Sequence, residues 1–141
     1  MYRMLRTRLR LVVLGSAAAC GGSPTTNTPP PPPPAPLAND LSIVSGAASK
    51  GSAAFDPNPK TASLGSASSV SVRWVNTDFS GSSYNDSGTS AVTHHIVADD
   101  GSFDTGSLGG NATSTKTLTA GTYSYHCVIH PTMVGTITVN P

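Results

Sequence analysis

Short runs of alternating apolar and polar residues recur along the chain from about residue 40 onwards. In the run 70–75, Val70, Val72 and Trp74 fall on one face of an extended strand, while Arg73 falls on the other. This alternation is typical of a strand with one buried face, so Trp74 is predicted to lie in the core. No stretch shows the 3.6-residue apolar period of an amphipathic helix.

Two runs near the C-terminus follow the same rule. The run 121–127 turns Tyr125 and Cys127 inwards and His126 outwards, and the run 135–139 buries its two aliphatic residues. Weaker runs predict further strands at 41–44, 61–64, 91–98 and 114–119. Seven or so short antiparallel strands in about 100 residues predict an all-β fold, a sandwich of two sheets.

Charge and composition narrow the classes of function. The chain has 141 residues and a formal net charge of +1, but four of its eight cations lie in the first ten residues. From residue 20 onwards, 4 cations face 7 aspartates, a net charge of −3, so no basic surface for nucleic acid is expected. Residues 40–141 are predicted to form one domain.

The N-terminus has the pattern of an export signal. Four arginines precede the apolar run 11–19, which is too short to span a membrane. The residues Ala17, Ala18 and Ala19 before Cys20 resemble the lipobox of bacterial lipoproteins, which implies a signal peptide over 1–19, acylation of Cys20 and a lipid anchor to a bacterial membrane. Ordinary cleavage after Ala19, with Cys20 a free thiol, stays open. Either route predicts an exported protein, periplasmic or at the cell surface.

Residues 20–39 are predicted to be a linker. Seven prolines lie between positions 29 and 36. Such a run adopts polyproline II at ~3.1 Å per residue, so these eight positions form a stiff spacer of about 25 Å.

Cys127, His130 and Met133 carry the most specific chemistry in the sequence. They are spaced i, i+3 and i+6 in a predicted loop between two strands. Sulfur and imidazole donors together favour copper, and two histidines, one cysteine and a weak axial methionine are the ligands of blue-copper sites. A zinc site would want a fourth cysteine, histidine or carboxylate in place of the methionine.

A second histidine is required, and the sequence offers His94 and His95. Alternation does not decide between them, because Ile96 and Val97 are both apolar and either face of this strand can be the buried one.

The C-terminal segment, with Cys-x-x-His-Pro-x-Met preceded by Gly-Thr-Tyr-x-Tyr-His, resembles the copper loop of the cupredoxins, closest to the amicyanin and plastocyanin-like members. The resemblance covers roughly residues 53–139. It implies an eight-stranded Greek-key β-sandwich with one copper ion that cycles between Cu(I) and Cu(II). It also implies His94 as the histidine, because the family's ligand lies five residues before an Asp-Asp-Gly run, here 99–101. The implied ligands are His94, Cys127 and His130 in a trigonal plane, with Met133 axial.

The function that this resemblance implies is electron transfer between exported redox partner proteins by a monomer that is not an enzyme. Copper sequestration without a dedicated redox chain is the alternative, and a metal-free adhesive sandwich is a third hypothesis. The segment 77–93 is longer than in the family. In it, Phe79 or Tyr84 is expected either to shield the copper site or contact a partner, or to belong to a plain surface loop.

Overall fold

The computed structural model describes residues 32–82 and 89–141. The predicted signal peptide, Cys20, most of the Pro-rich linker and Tyr84 lie outside the described residues. Within the described ranges, no helix is long and apolar enough to cross a membrane.

Regular structure in these residues is almost entirely β-strand. The strands are β1 (Asp40–Ile43), β2 (Phe55–Asp56), β3 (Lys60–Ser63), β4 (Val70–Asn76), β5 (Gly81–Ser82), β6 (Thr89–Ser90), β7 (His94–Ala98), β8 (Asp104–Leu108), β9 (Thr113–Leu118), β10 (Gly121–Cys127) and β11 (Val134–Asn140). Two short 3-10 helices, Ala47–Ser49 and Gly51–Ala54, lie between β1 and β2.

Nine of these strands form two sheets. One sheet has the order β2-β1-β4-β9 and the other has the order β3-β11-β10-β7-β8, while β5 and β6 form a separate two-stranded ribbon. Buried residues from both sheets meet in one core. The predicted all-β sandwich is therefore confirmed, with nine strands in its two sheets where seven or eight were expected.

The prediction that all strands are antiparallel is wrong. β1 pairs with β4 in parallel, and β11 pairs with β3 in parallel. Each of these pairs joins strands that are separated by long connections, as parallel pairing requires. Alternation of apolar residues reports which face is buried and carries no information on strand direction.

The faces predicted by alternation are confirmed in β4 and β10. Trp74, Tyr125 and Cys127 are buried, while His126 is partly exposed. The indole of Trp74 packs edge-on against Tyr125, with ring centroids 5.9 Å apart, and lies 4.8 Å from the ring of Phe103. Such aromatic contacts stabilise a core beyond the area that they bury.

Three strand ends meet at one end of the second sheet. β10 lies between β7 and β11 and is antiparallel to both. The first residue of β7, the last residue of β10 and the residue before β11 are therefore brought together, and these are His94, Cys127 and Met133. We call this the ligand end of the sandwich.

The chain enters the sandwich at the end opposite to the ligand end. β1 runs parallel to β4 with Ile43 opposite Asn76, so it points towards the ligand end. At its start, Arg73 forms an ion pair with Asp40 at 2.6 Å and donates a hydrogen bond to the carbonyl of Ala35. Lys60 donates to the carbonyl of Ala38. The last residues before β1 are thereby fixed against the sheet.

Candidate metal centre

Three side chains converge at the ligand end. The Sγ atom of Cys127 lies 3.9 Å from Nδ1 of His94 and 3.8 Å from Nδ1 of His130, and the two Nδ1 atoms are 3.2 Å apart. His94 and Cys127 are fully buried, whereas His130 is partly exposed. The structure thus brings together residues from β7, from the end of β10 and from the loop that follows it.

The two adjacent histidines of β7 lie in different surroundings. The strand buries alternate residues, beginning with His94, so the ring of His94 turns inwards to Cys127. The ring of His95 turns outwards, is 28% exposed and bonds the Asp104 carboxylate at 2.5 Å. The structure therefore places the ring of His94, and not that of His95, beside Cys127, while the family resemblance predicts His94 as the copper ligand. The backbone of His95 still contributes, because its amide donates to Cys127 Sγ at 3.5 Å.

Met133 returns to the site through a tight loop. The Cys127 amide donates to the carbonyl of Met133, and the Met133 amide donates to the carbonyl of His130. The Val128 amide also donates to the carbonyl of His95, which joins the loop to β7. The Met133 side chain is fully buried. Short backbone hydrogen bonds therefore hold the loop between two neighbouring strands.

The surroundings favour the thiolate form of Cys127. Burial raises the pKa of the thiol, but hydrogen bonds from His94 and from the backbone of His95 and His130 outweigh burial and lower the pKa to about 6. The thiolate is the form of cysteine that binds metals.

The donor set fits a single metal ion. A point equidistant from the Sγ and the two Nδ1 atoms, the circumcentre of the triangle with sides 3.9, 3.8 and 3.2 Å, lies about 2.1 Å from each, within the ~2.0–2.3 Å of His and Cys bonds to zinc, another first-row ion. Two imidazoles, a thiolate and a thioether are the donors that select copper. His94, Cys127, His130 and Met133 form a group like that of a type 1 copper site.

Solved structures share this architecture. A purple cupredoxin from Nitrosopumilus maritimus superposes with a TM-score of 0.55 at 22% identity, over 72% of this chain and 98% of that one. The chain has the cupredoxin fold. The Cu(I) form at pH 4 of a proline-to-glycine mutant of amicyanin gives a TM-score of 0.50 at 21% identity, over 75% of this chain and 85% of that one.

A larger protein contains a domain of the same cupredoxin fold. The copper-containing nitrite reductase from Thermus scotoductus gives a TM-score of 0.53 at 26% identity. The match covers 76% of this chain but 23% of the reductase chain. At the level of sequence, no protein-family model matches the chain and no curated protein matches it.

Asp78 is a residue of this cupredoxin-fold site that the sequence analysis missed. It is fully buried, and its Oδ2 lies 3.1 Å from Nε2 of His94, on the side of the ring that faces away from Cys127. Burial raises the pKa of its carboxyl, but hydrogen bonds from Ser80, Gly46 and His94 reverse the effect and lower the pKa to about 2. No sequence signal could find it, because it stands in a polar segment that predicts only a loop.

Asn76 and Asp78 also shape the segment that follows β4. The Asn76 amide donates to the carbonyls of Val92, Leu108 and Gly109, and the Val92 amide donates to the carbonyl of Asp78. Residues 91–93, expected to be strand, are held in this way as a connection, and β7 begins only at His94.

Of the two aromatic residues singled out in the segment 77–93, the structure describes one. Phe79 is partly buried and packs beside Gly110, where a Cβ atom would meet its Cζ at 2.8 Å. Tyr84 lies outside the described residues. Among the described residues of this segment, Asp78 contacts the ligand group through His94, a contact that the sequence did not predict.

Proposed function

We propose that the chain is a mononuclear type 1 copper protein that carries single electrons between exported redox partners. The observation that supports this most strongly is the triangle of His94, Cys127 and His130 at the ligand end, with Met133 buried in the same loop. The copper ion would supply reversible one-electron chemistry between Cu(I) and Cu(II). The protein residues would hold the ion and conduct the electron.

Each of these residues would have a distinct role. Cys127 would bind through its thiolate, and the amide of His95 would tune the electron density of that sulfur by donating a hydrogen bond to it. His94 and His130 would complete the plane through Nδ1. Met133 would provide the weak axial donor that adjusts the potential. Because the loop is tied to two strands, the donor positions would change little with oxidation state.

The electron would leave through His130. Its ring is the part of the triangle that reaches the surface, and the side chains of Val128 and Ile129 beside it are 50% and 48% exposed. Adjacent exposed apolar residues, especially where polar residues surround them, mark surfaces at which proteins dock. We therefore propose that redox partners contact the exposed residues of this loop.

We further propose that the protein is an electron carrier and not an enzyme. Its four donors would fill the coordination sphere, whereas catalytic metal sites keep an open position for water or substrate. The deep burial of His94 and Cys127 also favours transfer of an electron over binding of a substrate.

Export, anchoring and a monomeric state belong to the proposal as well. The basic N-terminus, the apolar run 11–19 and the small residues before Cys20 favour export to the periplasm or cell surface and lipid attachment. A diacyl or triacyl anchor would meet the requirement for more than one acyl chain for stable membrane attachment. Mass analysis of the membrane-fraction protein tests acylation of Cys20.

Voltammetry of the copper-loaded chain, combined with NMR measurement of electron self-exchange, tests the proposed electron transfer. We expect one copper per chain, a reversible one-electron couple and fast self-exchange. Cys127→Ser serves as the control and should lose that couple. Uptake of copper without reversible cycling would contradict electron transfer and would indicate copper sequestration instead.

A further inference from the structure

We propose that Asp78 is a positioning residue that fixes the tautomer of His94 and stabilises the Cu(II) state of the site. This inference rests on the proposed copper function. It concerns a carboxylate that stands on the far side of the ring from the ligand triangle, outside the four donor residues.

The imidazole of His94 bridges two groups. Its Nδ1 faces Cys127 Sγ at 3.9 Å, and its Nε2 faces Asp78 Oδ2 at 3.1 Å. The side chains of both His94 and Asp78 have no exposed surface. Because neither side chain is exposed to solvent, the Asp78 carboxylate is the hydrogen-bond partner that the described residues offer to Nε2.

Asp78 is surrounded by hydrogen-bond donors. Its Oδ1 accepts from the amide of Gly46 at 2.9 Å, from the amide of Ser80 at 3.1 Å and from the Ser80 hydroxyl at 2.6 Å. Its Oδ2 accepts from the amide of Ala47 at 3.2 Å. Three of these four donors are backbone amides, which cannot accept a hydrogen bond, so the site favours a group that only accepts, which is an ionised carboxylate.

The fifth contact of the Asp78 carboxylate is the one with Nε2 of His94. An ionised Asp78 can bond Nε2 of His94 only if that nitrogen donates, so Nε2 carries the proton in the neutral ring. Nδ1 is then the nitrogen left for copper, and binding of the ion would release the proton that Nδ1 donates to Cys127 in the metal-free chain. Carboxylate–histidine–metal arrangements of this kind orient the ligand ring and raise its basicity.

Asp78→Asn is the sharpest test, because asparagine keeps the shape of the side chain but replaces one acceptor with a donor. If its carbonyl oxygen takes the position of Oδ1, its NH₂ group faces Nε2, which must then accept. The proton moves to Nδ1, and the lone pair needed for copper is lost. The substitution also removes a buried negative charge near the site.

We expect Cu(II) affinity to fall 10- to 100-fold in Asp78→Asn, the usual loss when a group that orients a ligand is removed. Each tenfold loss of Cu(II) affinity relative to Cu(I) raises the potential by 59 mV for a one-electron couple. The blue absorption should shift or weaken in parallel. Asp40→Asn is the matched control, because it makes the same change in a carboxylate that pairs with Arg73 instead of His94, and it should leave spectrum and potential unchanged.

An unchanged potential and spectrum in Asp78→Asn, with blue copper present in the native chain, would overturn the assignment of Asp78 alone. Absence of blue copper in the native chain would instead contradict the proposed function. If Asp78→Asn does not fold, NMR of the native Cu(I)-loaded chain decides. A strongly downfield-shifted proton on His94 Nε2, as a hydrogen bond to an ionised carboxylate produces, supports the proposal, and the shift of an imidazole N–H without a charged partner overturns it.

Discussion

At the scale of single residues, the position of a residue along a strand determines which groups its side chain contacts. His94 and His95 are the same amino acid one residue apart, yet one contacts a buried thiol and the other a surface aspartate. It could be predicted from the sequence that Cys127, His130 and Met133 lie in one loop, because they are close in the chain. Asp78 could not be predicted, since its partners Gly46 and His94 become its neighbours only through folding.

Separate alanine substitutions distinguish the two histidines. We expect His94→Ala to abolish the blue absorption of the copper-loaded chain, because the triangle loses one nitrogen donor. His95→Ala should keep it, since only the ring that bonds Asp104 is removed and the backbone amide that donates to Cys127 stays. Visible spectra of the two variants check this. Loss of the band in His95→Ala alone would reverse the assignment.

Asp78 also predicts a pH dependence of stability. Its carboxyl pKa is about 2 in the folded chain, below the ~3.9 of an unfolded aspartate. The folded chain therefore binds fewer protons, so stability is present above pH ~4 and is lost as the pH falls towards ~2, a change on the order of 2 kcal/mol. Denaturant unfolding of the metal-free chain from pH 2 to pH 6 should show a steeper decline in the native chain than in Asp78→Asn. Parallel curves for the two proteins would contradict this.

At the scale of elements, alternation predicts strands well where one face is buried and the run is long. β4 and β10 follow it, with Trp74 and Tyr125 inside. β8 was missed because it buries only its last residue and contains Gly106 at a φ of 68°, so no apolar periodicity marks it. The parallel partners of β1 and β3 were missed because pairing direction is set by distant parts of the chain.

Two adjacent glycines test the packing of the segment after β4. A Cβ at Gly110 would lie 2.5 Å from the Cβ of Ala91 and 2.8 Å from Phe79, while a Cβ at Gly109 would meet nothing within 4 Å. We expect Gly110→Ala to lower the free energy of unfolding by about 1–3 kcal/mol through overpacking. Gly109→Ala should change it by less than about 0.5 kcal/mol. Equal stability of the two variants in urea unfolding would show that Phe79 does not pack there.

At the scale of the whole molecule, the chain enters the sandwich at one end and the ligand residues lie at the other. The residues before β1 are fixed by Arg73 and Lys60, and β1 then runs towards the ligand end. If Cys20 is anchored as proposed, we expect the exposed loop around His130 to face away from the anchoring surface. The proposed copper site at one end of the sandwich would account for how a chain with 11% charged residues can have a specific function.

We expect that the contacts attaching the residues before β1 can be removed without changing the metal site. Arg73→Met keeps the apolar stem of the side chain but removes the ion pair with Asp40 and the bond to Ala35. We expect faster amide exchange at Leu37 and Asp40 and a stability loss below about 1 kcal/mol, as for other partly exposed ion pairs. The copper spectrum should not change. A changed spectrum would show that the two ends of the sandwich are coupled.

The visible absorption spectrum of the copper-loaded chain tests the central claim most directly. Bonding between the Cys127 thiolate and Cu(II), within the triangle completed by His94 and His130, predicts an intense blue charge-transfer band that disappears in Cys127→Ser. Weak absorption alone, in a copper-loaded chain whose Cys127 thiol is intact, would contradict the type 1 copper assignment.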